Sequence, residues 1–105
     1  MGIVKIKDEK DFESHVLNAD DKVMVDFYAD WCGPCKMMAE VIEKISVENP
    51  ELKICKVNID ENRDMASEYD VMSIPTIIMF EKGSAVSKSV GSKTKSRLLK
   101  ELKYE

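Results

Sequence analysis

The stretch Val23-Met24-Val25-Asp26-Phe27-Tyr28-Ala29-Asp30-Trp31-Cys32-Gly33-Pro34-Cys35-Lys36 decides how this chain folds. Lys22 to Ala29 is apolar almost throughout, the pattern of a central strand covered on both faces. Two cysteines then stand two residues apart, where the strand hands over to a helix running from about Cys32 to Glu48. The apolar positions Met38, Val41, Ile42 and Ile45 of that helix recur at i, i+3, i+4 and i+7, with Glu40, Glu43 and Lys44 on the wet side. The first thiol therefore falls at a helix N-terminus, where unpaired backbone N–H groups and the helix dipole favour a thiolate. The second follows within one turn, close enough to close a small disulfide ring. One turn of helix carries a nucleophile, Cys32, and its resolving partner, Cys35. The competing use of such a pair is half of a zinc site. Beyond carboxylates the chain offers only Cys55 and His15 as further ligands, neither paired nor suitably spaced, so no metal is expected.

Working outward, strands and helices alternate. Ile3 to Ile6 reads as a short strand, and Asp8 caps a helix carrying Phe12, Val16 and Leu17. Asn49-Pro50 stops the long helix. Leu52 to Ile59 is the next strand, joined through that helix and so parallel to the central one. Asp60-Glu61-Asn62 opens a helix to about Tyr69. Pro75 to Phe80 and Ala85 to Val90 form a hairpin about the turn Glu81-Lys82-Gly83-Ser84, and Thr94 caps a last helix with Leu98, Leu99 and Leu102 inward. The expected architecture is α/β, a mixed five-stranded sheet with helices on both faces.

The 105 residues read as a single domain, 1–105, with 44% apolar and 34% charged residues, an ordinary globular balance. A net charge of -4 and no basic stripe argue against nucleic acid. No signal segment and no apolar run long enough for a membrane point to the cytoplasm. Three cysteines are too few for a secreted disulfide framework.

With these segments in order, the chain resembles the thioredoxin family over essentially its whole length. Val25 to Lys36 resembles the family's active-site signature, and Lys56-Val57-Asn58-Ile59-Asp60 the strand end facing it. Ile74-Pro75-Thr76 resembles the cis-proline segment, Phe80 to Gly83 the hairpin, and Val90-Gly91 the glycine bordering the substrate groove. There are departures. Glu40 stands where the family usually has a helix-kinking proline, Tyr28 where many relatives have tryptophan, and Met72-Ser73 in place of an Arg-Gly.

The resemblance implies a thiol–disulfide oxidoreductase that reduces protein disulfides, a redox carrier in electron transport and cell redox homeostasis. No cofactor is expected on the chain itself, which has no phosphate-cradling glycine loop; electrons would come from a thioredoxin reductase, commonly an NADPH-dependent flavoprotein. The expected partners are that reductase and disulfide-bearing substrate proteins, with the chain itself a monomer. Cys32 attacks the substrate disulfide and Cys35 resolves the mixed disulfide. Gly33 and Pro34 stiffen the loop and add no positive charge beside Cys32, which favours a reductant. Asp26, a carboxylate within an apolar strand, has its pKa raised by burial and is the candidate general base for Cys35. Strand alternation sets Met24, Asp26 and Tyr28 on one face and Ile54, Lys56 and Asn58 on one face of the neighbour, making Lys56 the candidate charge partner of Asp26. Pro75, cis by resemblance, leaves the Ile74 backbone free to pair with a substrate strand. Trp31, Gly33, Pro34, Ile59, Ile74 and Gly91 form an apolar rim around Cys32, with Ile59 and Ile74 as core residues the plainer alternative. Cys55 reads as a buried small hydrophobe. Two rival readings stay open: an oxidant or isomerase on the same fold, and a binding subunit whose dithiol is incidental.

Overall fold

A computed structural model describes residues 2–104. Strands β1 (Val4–Ile6), β2 (Lys22–Tyr28), β3 (Lys53–Asn58), β4 (Thr76–Glu81) and β5 (Ser84–Val90) form one sheet in the order β1-β3-β2-β4-β5. β1 and β2 both run parallel to β3, while β2/β4 and β4/β5 are antiparallel. This is the mixed five-stranded sheet expected. β2 lies at its centre, and α2 (Gly33–Glu48) makes the crossover that brings β3 back parallel beside it.

The alternation along β2 divides the core. Val23, Val25 and Phe27 point to one face, where they join Phe12, Val16, Cys55, Val57, Met65 and Phe80. Met24 points to the other, against Met38, Ile42 and Ile45 of α2 and Leu98 of α4 (Lys95–Glu101). Phe12 meets Phe80 edge-to-face at 5.6 Å between centroids, and Tyr69 of the α3 segment (Arg63–Glu68 and its cap) meets Phe80 at 5.2 Å. Helices therefore cover both faces, and the strand ends leading into α2 are left at one rim.

Local chemistry sets the boundaries. Asp8 caps α1 (Glu9–Phe12) by accepting from the Asp11 N–H at 2.8 Å, and Thr94 caps α4 through the Arg97 N–H. The sequence suggests one helix here, but it is α-helical only over Glu9–Phe12. From Glu13 to Leu17 it continues as a π-turn, with the Asn18 N–H donating five residues back to Glu13. That winding brings Phe12, Val16 and Leu17 together onto the core despite their offsets of four and five. At the β4–β5 turn, Lys82 and Gly83 have φ of 51° and 84°, the left-handed pair of a two-residue hairpin. A bulge between Met79 and Phe80 shifts the register along β5. α2 runs through Glu40 without a break, and Glu40 itself is exposed.

Candidate active site

β2 ends at Tyr28, and four residues later the chain re-enters regular structure as α2 with Cys32 as its N-cap. Cys32 keeps extended backbone angles, φ -89° and ψ 111°, while its Sγ accepts from the Cys35 N–H at 3.1 Å. The sulfur takes the position that a Ser or Asp oxygen takes in an ordinary N-cap. A negative charge developing there meets an N–H already aimed at it and the positive end of a helix of 16 residues. Gly33 and Pro34 fill the first turn, where the missing proline N–H would have had no partner in any case. Cys32 and Cys35 are joined in a disulfide, their Cα atoms 5.3 Å apart, and both are nearly buried.

Around the pair lies a small apolar cluster. Ala29 is packed with both cysteines, and Tyr28, Ile59 and Ile74 rest against them half-buried. Ile74 thus forms a wall beside the sulfurs, while Ile59 packs both there and against the core that holds Phe27 and Val57. The Ile74–Pro75 peptide is cis, and the Ile74 carbonyl oxygen lies 3.9 Å from Cys32 Sγ. The Gly91 N–H donates to the Pro75 carbonyl at 2.8 Å, which ties the end of β5 to this loop. Gly91 has φ of 93°, a conformation that suits glycine. Trp31 is 69% exposed, yet its indole N–H donates to the Asp60 carboxylate at 2.8 Å and is held in place. The residues named for the rim are therefore gathered at one end of the sheet.

On the α2 side of β2, two residues before the Tyr28 that packs against the disulfide, sits Asp26. It is 1% exposed, and its Oδ1 has no hydrogen-bond partner among the described residues. Desolvation raises its pKa from 3.8 to about 6, against a smaller lowering by the Lys56 charge. The register sets Asp26 directly beside Lys56 and Tyr28 beside Asn58, as alternation predicts. Lys56 forms no ion pair with Asp26 among the described residues; its ammonium lies over the Tyr28 ring, 4.4 Å from the centroid. A crevice of about 140 Å³, bounded by Tyr28, Ala29, Asp30, Cys35, Lys36, Ala39 and Lys56, joins Cys35 to the Lys56 side chain. It has room for several water molecules.

Cys55 is remote from this chemistry. It faces the opposite core, fully buried, and burial pushes its thiol up to about 11. A group so protonated is a poor nucleophile at neutral pH, which agrees with a packing role. Met37 and Met72, by contrast, are 64% and 93% exposed and do not pack in the core. Among the described residues no three His, Cys, Asp or Glu side chains are grouped to hold a metal ion, and no helix is long and apolar enough to cross a membrane.

Two contacts escaped the sequence reading. The Asp60 clamp on Trp31 leaves no local signal, because the partners are 29 residues apart and meet only when β3 ends beside the active-site loop. The stacking of Lys56 on Tyr28 had a partial signal, since alternation already set both on one face.

Comparison with known proteins agrees with this geometry. The family model described as Thioredoxin matches residues 3–104. A thioredoxin of Pseudomonas aeruginosa is 45% identical over 97 residues, covering 91% of this chain and 89% of its own. One from Chlamydia pneumoniae is 45% identical over 96 residues, covering 91% and 92%. A bifunctional thioredoxin reductase/thioredoxin of Mycobacterium leprae is 47% identical over 92 residues, covering 87% of this chain and 20% of that protein.

Proposed function

The chain belongs to the thioredoxin family and is a thiol–disulfide oxidoreductase that reduces protein disulfides through Cys32 and Cys35; from that premise we propose the following cycle and the roles of its neighbours. In the dithiol form the Cys32 thiolate attacks one sulfur of a substrate disulfide. The substrate S–S bond breaks, a Cys32–substrate disulfide forms, and the departing substrate thiolate takes up a proton. The Cys35 thiol then gives its proton to the Asp26 carboxylate, through water in the adjoining crevice, and attacks Cys32 Sγ. The mixed disulfide breaks, the Cys32–Cys35 disulfide closes, and the second substrate thiolate leaves. Two electrons have passed from the dithiol to the substrate.

The observation that carries the assignment of the nucleophile is the N-cap itself: Cys32 Sγ, not Cys35 Sγ, receives the helix N–H. Lys56 tunes Asp26 by its charge, and Gly33-Pro34 fix the spacing of the sulfurs. Trp31, Ile59, Ile74, Pro75 and Gly91 receive the substrate, with the Ile74 backbone pairing to an extended segment that carries the attacked cystine. The disulfide is restored to the dithiol by a thioredoxin reductase, an NADPH-dependent flavoprotein. The fusion of both activities in the Mycobacterium leprae relative's name supports that partnership. We read residues 1–105 as one monomeric domain acting as an electron carrier in the cytoplasm, where thiols are kept reduced.

A trapping experiment tests the assignment. Cys35→Ser, reduced and mixed with a disulfide-bonded peptide, should accumulate a covalent adduct that maps to Cys32. Cys32→Ser should form little adduct under the same conditions. An adduct forming faster at Cys35 than at Cys32 would reverse the two roles.

A further inference from the structure

In the sheet register Lys56 stands beside Asp26, and yet among the described residues it makes no ion pair with it. A buried carboxylate with an unpartnered oxygen is a strong attractor for an ammonium in reach. What holds the ammonium elsewhere is visible. Its position 4.4 Å from the Tyr28 centroid is a cation–π contact on the same sheet face. On the other side of Lys56, the register places Lys5 of β1 directly opposite, a like charge that disfavours any shift toward the sheet edge. Lys5 is itself drawn to Glu61 at 3.9 Å. The remaining charged or titratable neighbours are Asp30 in the loop and Cys35 and Lys36 of α2, all bordering the same crevice. From β4, Asp26 is faced by Ile77, which carries no charge. The Tyr28 hydroxyl does not compete for a proton in this range: its pKa is raised, by burial first and by Asp30 and Glu61, against a lowering by Lys5.

We propose that Tyr28 is a positioning residue for the reaction: its ring face holds the Lys56 ammonium off Asp26, which keeps Asp26 free to carry the Cys35 proton. The inference rests on the reading of Asp26 as the base of the resolving step. The logic is one of matching. A base that must take a proton and give it back works best when its pKa lies near the working pH. An ammonium paired to Asp26 would stabilise the carboxylate and weaken it as a base. An ammonium lost to solvent would leave the carboxyl protonated over a wider range. The ring selects an intermediate position. An aliphatic side chain at this place would offer the cation no such face.

The test is a carboxyl-carbon NMR titration of Asp26 in the full disulfide-form chain, for the unaltered protein, Tyr28→Phe, Tyr28→Leu and Lys56→Met. Tyr28→Phe keeps the ring face and should titrate with the unaltered protein. Tyr28→Leu should bind the Asp26 proton about tenfold more weakly, because the freed ammonium moves onto the carboxylate. In a Lys56→Met background, adding Tyr28→Leu should change nothing further. Tyr28→Met serves as a second variant without a ring should Tyr28→Leu fold poorly. A midpoint in Tyr28→Leu that is unchanged or raised overturns the proposal, as does a shift that persists without Lys56. Turnover of Asp26→Asn is followed separately. If it matches the unaltered protein, Asp26 is not the base, while the titrations still decide whether the ring governs Lys56.

Discussion

Asp26 should make this protein less stable as the pH rises, and its replacement by asparagine should remove that dependence. Its pKa moves from 3.8 to about 6 on folding, chiefly because burial disfavours the charged form. Below about pH 4 the carboxyl is protonated whether the chain is folded or not, and it contributes no penalty. Between the two values the folded state binds the proton that the unfolded state has lost, so stability falls steadily with pH. Above about pH 6 the folded chain carries an ionised, desolvated carboxylate, and the full penalty is present. At about 1.4 kcal/mol per pH unit over some two units, the penalty is about 3 kcal/mol. Asp26→Asn presents a neutral side chain of the same shape as the protonated acid. Urea unfolding of the two disulfide-form proteins should coincide near pH 4 and diverge by about 3 kcal/mol at pH 8, with the variant the more stable. Taking the difference between the two proteins cancels other titrating groups. A gap of equal size at both pH values, or a variant less stable at pH 8, would refute the reasoning that burial governs this carboxyl.

Other outcomes can be read with simple assays. Gly83→Ala places a Cβ 2.7 Å from the Leu17 carbonyl oxygen at φ of +84°, and should destabilise the fold by roughly 1–3 kcal/mol in thermal or urea unfolding. Ile42→Ala empties a fully buried site behind α2 and should cost about 2–5 kcal/mol, with turnover per folded molecule retained. Asp60→Asn replaces the charged acceptor of the Trp31 indole; it should change the fluorescence of this sole tryptophan and leave unfolding stability within about 1 kcal/mol. In the dithiol protein at pH 7, iodoacetamide should label Cys32 and leave Cys55 untouched until urea is added, because burial holds the Cys55 thiol protonated.

The parts of this molecule that sequence discloses are those set by periodicity and by residue type at a fixed place. The apolar run of β2 interrupted by Asp26, the paired cysteines at the strand–helix junction, and the caps Asp8 and Thr94 all act over a few residues, so they can be read locally. The parity of β2 and β3 was legible too, and it put Asp26 beside Lys56 correctly. Parity fixes only the face, however. Whether Lys56 turns to the carboxylate or to the Tyr28 ring depends on a flexible four-carbon stem and on Lys5 and Glu61 from elsewhere in the chain. The clamp on Trp31 likewise required Asp60 to arrive from the end of another strand. The π-turn at Glu13–Leu17 was hidden for a different reason: α-helical winding already brings the offset of four from Phe12 to Val16 onto one face, and only the offset of five to Leu17 marks the wider winding.

The claim that the Cys32–Cys35 pair donates electrons to protein disulfides is tested most directly by its reduction potential. The protein would be equilibrated against graded dithiothreitol buffers and followed through Trp31 fluorescence. The account predicts a single two-electron transition at strongly reducing poise, with the disulfide persisting in glutathione buffers near about −200 mV. A dithiol already formed in those mild buffers, or no titratable disulfide at all, would contradict it and mark the chain as an oxidant or a binding subunit.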